Sequence, residues 1–119
     1  MKQISCKLFS DCAIFKLNMH YSLDSFSDFV KFAKKTLDSH DLKNAIVDLR
    51  FVPEKIPTMD RFELGVMMAE KFPLKYRIAV LANLSNITKF AENVAVNRGA
   101  GMLVSHDMKE IRRWLKAKE

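Results

Sequence analysis

Two short runs that are apolar on both faces, NAIVDLRFV at 44–52 and RIAVLAN at 77–83, narrow the possible folds more than any other feature. They are rich in β-branched residues and carry no polar stripe beyond Asp48 and Arg50, which is how a strand covered on both sides reads. Such strands pair in parallel and need crossover helices between them. The flanking segments supply those helices. After Pro53 and Pro57 the chain presents Phe62, Val66, Ala69 and Phe72 at helical spacing. After the second run, NITKFAENVAVNRG places Ile87, Phe90, Ala91, Val94 and Ala95 on one face and stops at Gly99, a residue suited to the left-handed end of a helix.

The rest of the chain fits the same plan. Ile4, Cys6 and Leu8 alternate with polar residues, Ser10 and Asp11 make a turn, and Ala13, Phe15, Leu17 and Met19 alternate again, which predicts a hairpin with one wet face. Ser25 and Asp28 read as an S-x-x-D capping box for a helix carrying Phe26, Phe29, Val30, Ala33 and Leu37 inward. MLVS at 102–105 predicts a last strand, and DMKEIRRWLKAKE a last helix with a D-x-x-E box and Met108, Ile111 and Leu115 facing in. The predicted fold class is therefore α/β, order ββαβαβαβα, a mixed sheet with an antiparallel N-terminal hairpin and parallel strands joined by right-handed crossovers. At 119 residues it is expected to form one domain over 1–119, since a chain of this length buries roughly two-thirds of its unfolded surface without a disulfide or metal.

Composition then excludes several function classes. With 49% apolar and 29% charged residues the chain is too apolar to be disordered. Its 20 basic against 14 acidic residues give a net charge of +6, but the charges are dispersed, with no basic stripe studded with aromatics and no zinc-finger or RNA-recognition signature. A nucleic-acid partner is not expected. The start MKQISCKLFSD has no apolar run long enough for a signal peptide, and no stretch approaches the ~20 apolar residues of a membrane span, so a cytoplasmic chain without a transmembrane segment is expected. Cys6 and Cys12 lack CxxC spacing and read as buried or half-buried thiols. His20, His40 and His106 are scattered without metal-ligand spacing, and there is neither a Gly-rich phosphate loop nor a G-x-S-x-G turn. No catalytic residue, metal or cofactor is expected. Asp48, inside a buried strand, must be paired, with Arg98 or a loop N–H as the expected partner.

The run AIVDLRFV…TMDRFELGVMMAEKF…RIAVLANLSNITKFAENVAVNRGAGMLVSHDMKEIRRWL, spanning 45–115, resembles the bacterial SpoIIAA-like proteins, a STAS-type family named for sulphate transporters and anti-sigma-factor antagonists. The DRFELG helix start, the AENVAVNRG helix end and the Trp-Leu-ending last helix carry the likeness. The resemblance implies a small non-enzymatic module that binds and regulates a protein partner. Family members that antagonise anti-sigma factors carry an Asp-Ser-Ser-Gly motif before the second helix, where one serine is phosphorylated. Here Asp60 matches the aspartate and Gly65 a later glycine, whereas Arg61 and Phe62 take the serine places and Glu63 the first glycine, so the phosphoacceptor is missing.

The resemblance and the position of these loops after parallel strands place the expected partner site at 53–63 and 84–86, on Thr58, Asp60, Arg61, Glu63, Leu84, Ser85 and Asn86. Locally, Thr58 reads as the N-cap of its helix, so that Thr58→Ala is expected to cost about 1 kcal/mol. Asp60 and Glu63 suit the positive end of the helix dipole, and Arg61 is expected to pair with one of them or to face solvent. No phosphorylation switch is expected at this helix. An alternative follows from nine phenylalanines and seven methionines, Met67 and Met68 among them, which suit an adaptable apolar pocket. STAS-like folds resemble the lipid-carrying Sec14 domain in topology, which implies a small apolar ligand or lipid held between the sheet and the second helix.

Overall fold

The computed structural model describes residues 3–116. The predicted order is the observed one: β1 (Ile4–Leu8), β2 (Ala13–Leu17), α1 (Leu23–Ser39), β3 (Asn44–Asp48), α2 (Thr58–Lys71), β4 (Arg77–Leu81), a 3₁₀ turn (Leu84–Asn86), α3 (Phe90–Asn97), β5 (Met102–Ser105) and α4 (Met108–Lys116). One five-stranded sheet runs in the order β1-β2-β3-β4-β5, antiparallel between β1 and β2 and parallel thereafter. The predicted last-helix residues beyond 116 lie outside the described residues.

Strand alternation divides the core in two. Phe15, Ala45, Val47, Ile78 and Val80 point to one face, where α1, α2 and α3 cover them through Phe29, Val30, Leu64, Met68 and Ala95. Ile46, Ala79 and Leu81 point to the other, which α4 covers with Ile111 and Leu115. Three helices on one face and one on the other explain why β3 and β4 read as apolar throughout. The edge strand β1 is different. Of its alternating set only Ile4 packs against the core, while Cys6 and Leu8 are exposed, so Cys6 is not the buried or half-buried thiol expected from sequence. Cys12 is half-buried.

Four local readings are corrected. The cap of α1 is Ser22, whose Oγ accepts the Ser25 N–H at 3.1 Å, so the helix starts before the predicted Ser25–Asp28 box. The first doubly apolar run stops being a strand at Asp48, whose carboxylate accepts the Arg50 backbone N–H at 3.0 Å and turns the chain. In α2 the buried positions are Leu64, Gly65 and Met68, followed by Phe72 just past the helix end; Phe62 is exposed and Val66 and Ala69 are half-buried. Both stripes have helical spacing, and the choice between them is set by Gly65, the position where α2 lies closest to α3: a Cβ there would stand 2.9 Å from the Ala91 carbonyl oxygen and from Val94. Finally, α3 begins only at Phe90, because Lys89 is left-handed at φ 64°, while Gly99 has the expected positive φ of 99° after the helix end.

Candidate functional site: an apolar cavity with a polar rim

The three-helix face of the sheet does not close completely. Between it and α1, α2 and α3 lies a cavity of about 140 Å³. Its walls are core side chains, among them Phe15, Phe29, Val47, Met68, Val80 and Met102. Its polar lining comes from the segments that follow β3 and β4: Glu54 and Arg61 from the first, Asn86, Thr88 and Lys89 from the second, with Glu92 on α3. This is the position, between sheet and second helix, at which an apolar ligand was expected.

The rim side chains of Glu54, Arg61, Thr88, Lys89 and Glu92 are held by hydrogen bonds. Glu54 accepts the Tyr21 backbone N–H at 2.7 Å and pairs with His20 at 2.5 Å, contacts that hold its carboxyl below its ordinary pKa, the Tyr21 N–H first among them. The Tyr21 hydroxyl donates to Asp60 at 2.7 Å; burial foremost, then this carboxylate, pushes the phenol pKa up. The loop after β2 is thereby tied to α2. On the other side Lys89 donates to Glu92 at 3.0 Å and to the Val104 carbonyl, and Glu92 accepts the Val104 N–H at 2.6 Å, which ties the start of α3 to β5.

Arg61 joins the two rim segments. Its Nε donates to the Ile56 carbonyl at 2.7 Å, and its Nη1 to the Asn86 carbonyl at 3.3 Å and the Thr88 hydroxyl at 2.7 Å. It therefore pairs with neither Asp60 nor Glu63, contrary to expectation. Thr58 is not a cap either: Pro57 occupies the cap position, no side chain bonds there, and Thr58 is the exposed first residue of the helix. Its hydroxyl makes no cap bond, so it does not supply the cap stabilisation expected of it.

Of the seven residues expected at a binding site, the structure brings Arg61 and Asn86 together on the cavity rim. Asp60 is half-buried on Tyr21, and Thr58, Glu63, Leu84 and Ser85 are exposed and do not line the cavity. Glu54, Thr88, Lys89 and Glu92 were missed. The sequence pattern places the last three within one continuous helix over NITKFAENVAVNRG, and a left-handed lysine carries no sequence signal. Met68 lines the cavity, as its greasy character suggested, and Met67 does not.

Asp48 finds a nearer partner than Arg98. Arg50 donates to it through Nε at 3.0 Å and Nη2 at 2.9 Å besides the backbone N–H, the loop donor that was expected. Burial pushes the Asp48 carboxyl up, but the Arg50 hydrogen bonds and charge outweigh it and hold the pKa below its ordinary value. Arg98 instead stacks over Phe62, 5.4 Å from the ring centre. Among the described residues no helix is long and apolar enough to cross a membrane, and no three His, Cys, Asp or Glu side chains are grouped to hold a metal. No family model matches this chain, and a search of curated proteins finds no match either.

Proposed function

We propose that this chain is a non-catalytic cytoplasmic module of the STAS type that takes a small apolar ligand into the cavity beneath α2. The observation that carries the reading is the cavity itself. Protein interiors are close-packed, and a space of about 140 Å³ among apolar side chains leaves its lining without contacts that a filled core would make, which is a loss of stability. A ligand with apolar surface recovers that loss by restoring the missing contacts. Fixed polar groups at the rim and apolar walls within are also the usual build of a small-molecule site. Native mass spectrometry of protein purified without detergent tests this: a bound small molecule is expected, and bare protein mass at every charge state contradicts it.

A second reading, binding of a protein partner at 53–63 and 84–86, is favoured by exposed apolar residues at both segments. Met59 is 72% and Leu84 65% exposed, each two residues from the linked pair Arg61 and Asn86. Exposed apolar groups beside a fixed polar rim suit an interface. Its test is a pull-down from host extract with a Met59→Asp/Leu84→Asp variant, in which an unchanged set of captured proteins rules this surface out.

A further inference from the structure

We infer that the cavity's ligand is a small amphiphilic anion, one ring or a short alkyl chain ending in a carboxylate, with its apolar part against the core walls and its carboxylate on Arg61. The inference rests on the reading of the cavity as a ligand site and adds the ligand's class. Its basis is a rim cation, Arg61, that lacks an ion-pair partner. All three acceptors of Arg61 are neutral, and its Nη2 has no hydrogen-bond partner among the described residues. Nor does Arg61 belong to any ion pair among them.

The nearby acids are committed elsewhere. Glu54 is held by Tyr21 and His20, Glu92 by Lys89 and the Val104 N–H, and Asp60 by the Tyr21 hydroxyl. Glu63 is exposed and stands two residues on, about 200° around the helix from Arg61. Lys89, the other cation of the lining, already has Glu92. A half-buried guanidinium facing an apolar cavity, outside every ion pair among the described residues, is thus the lining cation left for an anionic ligand to neutralise.

Geometry favours a carboxylate. Three hydrogen bonds pin the guanidinium, so little side-chain freedom is lost when an anion docks. Thr88 Oγ1 accepts from Arg61 and, at 3.4 Å, from the Phe90 N–H, which leaves its own proton to donate. The donor groups left free, Arg61 Nη2 with its two N–H and the Thr88 hydroxyl, can serve the two oxygens of a carboxylate. The size of the apolar part follows from the volume: about 140 Å³ is close to the roughly 150 Å³ of a dry apolar cavity that admits benzene. A long two-chain lipid does not fit inside such a space.

The test compares acids with their neutral isosteres: calorimetric titration of the full chain with phenylacetate and hexanoate against phenylacetamide and hexanamide. The acids are expected to bind about tenfold tighter or more, because hydrogen bonds to charged groups are stronger than neutral ones. In Arg61→Gln, which keeps an N–H donor, the acid-to-amide ratio is expected to fall to near one. Equal affinity for acids and amides overturns the anion inference and leaves the ligand site standing; no binding by either overturns both. A preference that survives in Arg61→Gln also overturns it. Should that variant not fold, the Arg61 Nε–H resonance of the wild type decides: it is expected to shift with phenylacetate and not with phenylacetamide, and a shift with both or neither contradicts the assignment.

Discussion

Gly65→Ala should destabilise this protein, although the same change in an exposed helix interior gains about 1 kcal/mol. The added Cβ would meet the Ala91 carbonyl oxygen, Val94 Cβ and Val94 Cγ1, all at 2.9 Å. Comfortable carbon contacts lie at about 3.5–4.0 Å, so α2 and α3 must part by roughly 0.5–1 Å. The obstacles are a backbone oxygen and a β-branched side chain with little rotamer freedom, neither of which can swing aside. Overpacking of this kind costs about 1–3 kcal/mol; set against the gain in helix propensity, the net is a loss of about 1 kcal/mol. Urea unfolding reads it as a midpoint lowered by roughly 0.5 M for a slope of about 2 kcal/mol per M. Val94→Ala removes the Cγ1 contact while keeping the Cβ, so Gly65→Ala should cost somewhat less in that background than in the wild type. A Gly65→Ala protein more stable than wild type, with no coupling to Val94, would refute the close approach of the two helices.

Ser22→Ala is expected to cost about 1 kcal/mol through the lost cap of α1, whereas Thr58→Ala, which removes no cap bond, should stay within about 0.5 kcal/mol of wild type by thermal or urea unfolding. Because the folded pKa of Asp48 is lowered, its stabilisation is complete above the unfolded value of about 3.9 and is lost as pH falls through the folded one. Asp48→Asn should therefore be less stable at pH 7, with the difference narrowing toward pH 2; parallel stability curves would contradict this. Burial, with help from the charge of Asp11, raises the Cys12 thiol to about 11, so iodoacetamide at pH 8 should label exposed Cys6 well before Cys12, as read by peptide mass mapping.

The element order was legible because strand and helix periodicities differ and the two doubly apolar runs demanded cover on both faces. What failed was local choice among near-equivalent patterns. Phe62, Val66 and Ala69 are spaced like a buried stripe, and only the contact of Gly65 with α3, a long-range fact, selects Leu64 and Met68. Ser25 begins a plausible capping box, yet Ser22 is an equally good hydroxyl one turn earlier and wins. Asp48 took a partner two residues away rather than a distant arginine. At the site, Arg61 and Asn86 were singled out from their place after β3 and β4, but their hydrogen bond was not foreseeable, since it depends on how the 84–89 segment bends at Lys89.

The central claim, that the space beneath α2 is an accessible ligand site, is tested most directly by titrating benzene into protein labelled at its methionine methyl groups and following the resonances by NMR. Met68 and Met102 line the cavity, whereas Met59 is largely exposed and does not. Saturable ring-current shifts at Met68 and Met102, with Met59 unmoved, are the predicted result. Small shifts that never saturate, or that fall equally on Met59, would contradict it.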